Sequence, residues 1–210
     1  TLGMKAGFTL FDDQDTLALL KELTERQLKE DLDLLKALII QISNWKNALV
    51  LPPQAIKHAK GEREVLFAHC YDLYQRQLKA YNALDFDDLE ARAAAPGCRM
   101  LILCHPHNPV SRIWSPEELV RIAAICARHD LILVSDEIHG DLSYSWADFT
   151  PAGVAAPVVN DRLVVCTGPS KAFNLPGLRT SLTIVPNAHL RDKLRIGLRN
   201  LNEDFGVNVL

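Results

Sequence analysis

The 210-residue sequence has no apolar run approaching a membrane span, and its N-terminus lacks the layout of a signal peptide. No membrane partner is expected. Its cysteines are few and odd in number: Cys70, Cys98, Cys104, Cys126 and Cys166 lack metal-type spacing and cannot close a complete disulfide framework. Each lies in an apolar or strand-like run, so buried thiols in a reducing cytoplasm are expected and no metal site is. Positive charge is not in excess either. A net charge of −3 gives no global case for nucleic acid, which leaves only a local basic face to consider. Also missing is any Gly-Lys-Thr/Ser loop that would cradle nucleotide phosphates, which removes a nucleotide-driven motor from the candidates. There is no internal repeat or low-complexity tract. The chain opens at Thr1 rather than Met, and Leu2-Gly3-Met4 reads as mid-protein sequence, so a fragment is expected.

What is present is ordinary in bulk: 48% hydrophobic and 23% charged residues, enough chain for one sizeable domain or two small ones. The order of residues is less ordinary, because two grammars follow each other. Residues 1–95 read almost wholly as helix. Asp13 or Asp15 can cap a helix to about Leu23, and Thr24-Glu-Arg-Gln27 has capping-box form. Leu28, Leu32, Leu35, Ile39 and Ile42 recur at helical intervals until Pro52-Pro53 breaks the run. After Gly61 a long amphipathic segment reaches about Ala83, with Val65, Leu66, Ala68, Leu73 and Leu78 as inward positions, and Asp85 caps a helix through Ala93.

From Arg99 the pattern becomes strand, loop, helix, strand. Apolar runs at 100–104, 131–135, 163–167 and 181–185 suit buried strands, and Ser115-Pro-Glu-Glu118 is a strong helix start. That alternation predicts a parallel α/β sheet, in which active groups gather at the carboxyl ends of strands. Asn108, Asp136 and Lys171 all fall at such ends. Lys171 stands on a small-residue turn, with Arg179 eight residues further on. An amine can hold an aldehyde as a Schiff base, a carboxylate can keep a pyridine nitrogen protonated, and a guanidinium can clamp a phosphate. Those are the three demands of pyridoxal 5′-phosphate. A single Ser-Lys pair or Asp-Glu pair would mean little; the joint pattern is the signal.

Residues from about 83 to 210 resemble fold-type I pyridoxal-phosphate enzymes, in particular the MalY/PatB-type cystathionine β-lyases. The resemblance lies in Leu84-Asp-Phe-Asp-Asp-Leu-Glu90, Leu103-Cys-His-Pro-His-Asn-Pro-Val110, Arg112-Ile-Trp114, Val134-Ser-Asp-Glu-Ile-His-Gly-Asp-Leu142 and Pro169-Ser-Lys-Ala-Phe-Asn-Leu-Pro-Gly-Leu-Arg179. It implies that Lys171 carries the cofactor and moves the Cα proton, while Asp136 pairs with the pyridinium nitrogen. It implies that Asn108 bonds the ring's 3′ oxygen, that His139 stands beside the ring, and that Thr167, Ser170 and Arg179 take phosphate oxygens. The implied substrate is a small amino acid, the implied reaction C–S β-elimination, and the implied assembly a homodimer. An aminotransferase would share every one of these residues. His105, His107 and His129 are assigned no chemistry. Two departures stand out. Ser111 replaces the family's usual glycine, where a left-handed backbone would cost about 1 kcal/mol. The family's N-terminal arm, phosphate turn, stacking aromatic and small domain have no counterpart in these residues, so weak turnover or none is expected.

Residues 1–89 resemble a different family, the Rep/UvrD-type superfamily I DNA helicases, in the helical insertion called subdomain 1B. The matching text is Gly7-Phe-Thr-Leu-Phe-Asp-Asp-Gln-Asp15, Leu17-Ala-Leu-Leu-Lys-Glu-Leu-Thr24, Ile42-Ser-Asn-Trp-Lys-Asn47, Gly61-Glu-Arg63, Phe67-Ala-His-Cys-Tyr71 and Leu84-Asp-Phe-Asp-Asp-Leu89. This resemblance makes Lys46, Lys57, Lys60 and Arg63 candidates for DNA phosphate contact. Ser135-Asp-Glu-Ile-His139 has the form of a magnesium-binding motor box, but without the nucleotide loop it has no motor to serve. The expected fold is therefore α/β: a helical segment over 1–89, then part of a PLP-transferase-type parallel α/β/α domain over 90–210. The two parts meet at Leu84–Leu89, as in a chimera. A non-enzymatic chimera, or a DNA-contacting helical module, is the alternative to a lyase.

Overall fold

The computed structural model describes residues 9–24, 31–108, 111–200 and 207–209. It divides into two compact units, Thr1–Ala95 and Pro96–Leu210.

In the first unit the elements are β1 (Thr9–Phe11), α1 (Asp13–Leu23), α2 (Leu32–Asn47), α3 (Pro52–His58), α4 (Glu62–Ala80), β2 (Ala83–Asp85) and α5 (Phe86–Ala93). The cap of α1 is Asp12, one residue earlier than expected, and Asp15 closes its capping box. The box at Thr24–Gln27 and Leu28 fall largely outside the described residues; Thr24 itself ends α1. Pro52 and Pro53 do not break α2, which has already ended at Asn47. They open α3 instead, where a missing N–H costs nothing. A short parallel ribbon, β1 against β2, interrupts the expected all-helical pattern. Leu10, Ala83 and Leu84 are buried in it, which brings both ends of the helical run together.

The core of this unit is Leu20, Leu35, Leu38, Ile42, Phe67, Ala68, Tyr71, Tyr74 and Leu78, with the Trp45 and Tyr71 rings stacked at 5.7 Å. Of the inward positions expected on α4, Ala68 and Leu78 are buried, whereas Val65, Leu66 and Leu73 are exposed. Burial follows the aromatic stripe Phe67–Tyr71–Tyr74–Leu78 at i+4, i+3 and i+4 spacing. The tyrosines can join the core because their hydroxyls find partners. Tyr74 donates to Asp85 at 2.8 Å and Tyr71 to the Val50 carbonyl at 3.2 Å.

The second unit contains β3 (Met100–Cys104), α6 (Pro116–Arg128), β4 (Ile132–Asp136), α7 (Ala152–Ala155), β5 (Leu163–Thr167), α8 (Pro169–Ala172), β6 (Ser181–Ile184), α9 (Ala188–Asn200) and β7 (Val207–Val209). They form one sheet in the order β3-β4-β5-β6-β7. The first three strands are parallel, as the alternating pattern predicts. β6 departs from it, running antiparallel to β5. The link from Gly168 to Thr180 is spent on α8 and a 3₁₀ turn at the carboxyl edge, so the chain re-enters the sheet from that edge rather than crossing back. Ser115 and Glu118 cap α6 reciprocally, as expected. Leu119, Ile122, Ala123 and Cys126 of α6 are buried, as are Leu131, Leu133, Val159 and Leu163. Burial pushes the Cys126 thiol up to about 11, which leaves it inert at neutral pH. Only Cys70 and Cys126 are fully buried; Cys98, Cys104 and Cys166 keep partial exposure, against the expectation for all five. No helix among the described residues is long and apolar enough to cross a membrane.

Candidate active site

Parallel pairing sets the site's frame. Cys104 of β3, Asp136 of β4 and Cys166 of β5 occupy one register row at the carboxyl edge of the sheet. Neighbouring strands lie about 4.8 Å apart, so Asp136 stands one strand away from Thr167 and the turn beyond it. The Asp136 carboxylate accepts the Ile138 N–H at 3.3 Å, which fixes the first turn after the strand. The Glu137 carboxylate points the other way. It is 6% exposed and accepts from Ser135 Oγ and the Ala152 N–H, each at 2.9 Å. Glu137 is thus a bracket between β4 and α7, and no metal-binding cluster of acidic, histidine or cysteine side chains occurs among the described residues.

The loop after β3 is braced from below. His105 is wholly buried, its Nε2 bonded to the Thr150 carbonyl at 2.9 Å and its Nδ1 accepting the Trp114 N–H at 3.3 Å. Trp114 Nε1 donates to the Cys104 carbonyl, and Arg112 lies over the Trp114 ring while pairing with Glu118. Asn108 is carried outward on this brace and is exposed. Ser111 has φ +59°, the left-handed conformation anticipated for a glycine position. Ser111→Gly should therefore stabilise the second unit by up to about 1 kcal/mol; an unchanged urea midpoint would contradict this. Burial holds His105 below the ordinary histidine range despite the Thr150 carbonyl, Glu137 and Glu118. Its contribution to stability is complete above the unfolded value of 6.5 and is lost as pH falls below it. A pH series of unfolding midpoints should decline below about 6.5 and flatten in His105→Gln.

Thr167 is half-buried at the end of β5. A Cβ on Gly168 would come within 3.0 Å of the Thr180 carbonyl and 3.2 Å of Ser181 Cα, so a side chain there would crowd the backbone entering β6. α8 follows with Ser170 half-buried and Lys171 exposed, and it lies alongside the Gly140–Leu142 turn that follows His139. Arg179 is exposed and left-handed, at φ +48°. Asn108 and His139 line one cleft of about 500 Å³. Thr167 lines another, of about 470 Å³, with Glu137 and Gly140. Asp136, Ser170, Lys171 and Arg179 line neither.

The donor set fits pyridoxal phosphate chemically. One amine, one carboxylate, two hydroxyls and one guanidinium gather around a single sheet edge and match aldehyde, pyridinium and phosphate. It supplies these groups without enclosing them. Sequence reasoning missed the aromatic rim of the Asn108 cleft, Tyr144 and Trp146, which lies in an aperiodic loop with no pattern to flag it.

Of the DNA-contact candidates, Lys46 is corrected. It is 4% exposed, with Nζ 2.6 Å from Asp85 and 3.0 Å from Asp88, and cannot reach a phosphate. Lys57, Lys60 and Arg63 are exposed around Gly61 but interleaved with Glu62 and Glu64, and Arg63 lies over the Phe67 ring.

The aminotransferase class I and II family model matches residues 56–203, starting earlier than the motifs near residue 83. Cystathionine beta-lyase PatB of Bacillus subtilis is 41% identical over 133 residues, which is 61% of this chain and 34% of that protein. A separate 88-residue segment is 64% identical to the ATP-dependent DNA helicase Rep of Escherichia coli, covering 42% of this chain and 13% of the helicase. The crystal structure of cystalysin from Treponema denticola, which contains a pyridoxal 5′-phosphate cofactor, matches with a TM-score of 0.53 and 27% identity, over 65% of this chain and 37% of that one. The chain spans only a minor part of either curated relative, and the two likenesses fall on different segments, consistent with a chimera.

Proposed function

Because the chain belongs to the aminotransferase class I and II family, we propose that its second unit is a pyridoxal-phosphate C–S β-lyase module for S-substituted cysteine. The observation that carries this reading is Lys171 on α8, directly after β5, the strand that pairs with the one ending in Asp136. Similarity to a cystathionine β-lyase favours elimination over amino transfer. The bound cofactor would supply an electron sink for the carbanion left when the Cα proton departs. The chain's own residues would do the rest. Asp136 keeps a proton on the ring nitrogen, Asn108 and His139 orient the ring, and Thr167, Ser170 and Arg179 hold the phosphate. Lys171 then takes the Cα proton. Cβ–S cleavage releases a thiol, and one water completes conversion of the remainder to pyruvate and ammonium.

Borohydride reduction of the chain with pyridoxal phosphate, followed by peptide mass analysis, tests the reading directly. An adduct on Lys171, with pyruvate and thiol formed without a keto-acid acceptor, is the expected result. No adduct would sink it, and dependence on a keto acid would assign an aminotransferase instead. The exposed Lys171, Asn108 and Arg179 make efficient turnover unexpected: kcat/KM should stay below about 10⁴ M⁻¹s⁻¹. A homodimer belongs to the same proposal, to be checked by sedimentation. So does a cytoplasmic location, which the five free thiols suit.

A further inference from the structure

We propose that the cleft beside Asn108 and His139 receives the group carried on the substrate sulfur, and that it takes an uncharged, aromatic or aliphatic group. This rests on the lyase reading above and narrows its substrate class. The cleft, at about 500 Å³, is large enough for such a group. One wall carries Asn108 and His139, the residues assigned to orient the ring, and α8 with Lys171 lies beside the turn leading into it. On this reading the substrate's Cα stays at Lys171, which does not line the cleft, and its distal end enters past the Gly140–Leu142 turn against which α8 packs.

The other wall decides the chemistry. The Tyr144 and Trp146 rings stack at 5.2 Å with planes 7° apart, yet they are 69% and 79% exposed. Two aligned rings with their outer faces in water form a platform for a third flat or apolar group. Ile113 and Leu142 add aliphatic surface, and among the described residues no lysine or arginine lines the cleft, where the titratable side chains besides Tyr144 are His107 and His139. The distal part of L-cystathionine carries a carboxylate and an ammonium. Its carboxylate would meet no guanidinium here, and removing such charges from water without partners is costly. A benzyl or alkyl group loses nothing comparable and gains the ring contact.

The test is calorimetric titration of the full chain, with and without pyridoxal phosphate, using S-benzyl-L-cysteine and L-cystathionine. The S-benzyl compound should bind about tenfold more tightly, the scale of one good aromatic contact. Trp146→Ala should bring the two affinities to near parity, and Trp146→Phe should restore most of the preference. Both rings are exposed, so circular dichroism should show an unchanged fold. Equal or tighter binding of L-cystathionine overturns the proposal, as does a preference unaltered in Trp146→Ala. If Trp146→Ala instead turns a dimer into a monomer with the preference intact, the rings belong to a contact with a second copy and the proposal fails. The Lys171 adduct is read separately. An adduct without the benzyl preference overturns the subsite alone; the preference without an adduct overturns the lyase reading and leaves an apolar cleft.

Discussion

Lys46→Ala is expected to destabilise the helical unit by about 3–5 kcal/mol, a large fraction of what a domain of this size possesses. The lysine is buried against two carboxylates, at 2.6 Å from Asp85 and 3.0 Å from Asp88, with its ammonium 5.1 Å from the Tyr74 ring centre. Asp85 is the hub: it also accepts from the Tyr74 hydroxyl, caps α5 through the Asp88 N–H, and ends β2. Removing the ammonium leaves two buried carboxylates facing each other. The substitutions should be unequal, because one ammonium can neutralise only one carboxylate. Burial pushes Asp85 up, but the charge and hydrogen bond of Lys46 outweigh it and hold this carboxyl below its usual range. Burial and the neighbouring Asp85 push Asp88 up in spite of Lys46. Asp85 thus stabilises the fold above its unfolded value near 3.8 and less as pH falls, whereas Asp88 stabilises it at low pH and loses that contribution as pH rises. Asp88→Asn should accordingly cost far less than Asp85→Asn. Urea unfolding followed through the buried Trp45 resolves the series, and a loss below about 1 kcal/mol for Lys46→Ala would refute the buried-charge account.

This network also shows where the sequence stops being readable. The helicase resemblance offered Lys46 as a phosphate contact, whereas the carboxylate that buries it lies 39 residues away. No local pattern encodes that pairing. The α4 face was misjudged for a related reason. Its two stripes, Val65–Leu66–Leu73 and Phe67–Tyr71–Tyr74, are similarly apolar in sequence. What selects the second is a set of hydroxyl partners, including Thr16, whose hydroxyl lies 3.1 Å from that of Tyr74. Local chemistry was legible. Ser115 with Glu118, and Asp85, cap their helices as read, since a cap is decided within four residues; the structure adds Asp88 as the partner that closes the second box.

The candidate site divides along the same line. Strand-end positions could be read from apolar runs closed by polar residues, and Asp136 and Thr167 do stand at the carboxyl ends of neighbouring strands. The enclosure of the site could not be read that way, because it depends on loops. The Gly140–Ala147 segment turns the Tyr144 and Trp146 rings into the rim of the Asn108 cleft, while Thr167 opens on a different one. Glu137 resembled half of a metal box until its burial against Ser135 and Ala152 made it a structural bracket.

Lys171→Ala should abolish any borohydride-trapped cofactor adduct and lower whatever lyase turnover the chain has by about 10²–10⁴-fold, the contribution of a positioned general base. Its thermal midpoint should hardly move. The side chain is exposed on a short helix beyond the strand, and such positions usually change stability by less than about 0.5 kcal/mol. Loss of cooperative unfolding in this variant would mean that the lysine belongs to the fold rather than to the chemistry. Asp136→Asn separates binding from catalysis. The amide can still accept the Ile138 N–H and hold the turn, so the Lys171 adduct should form. It carries no charge to keep a proton on the ring nitrogen, so the carbanion loses its sink and turnover should fall by at least about 10²-fold. An adduct with near-normal pyruvate release in Asp136→Asn would remove Asp136 from the reaction. Loss of the adduct would show that the carboxylate serves cofactor binding first.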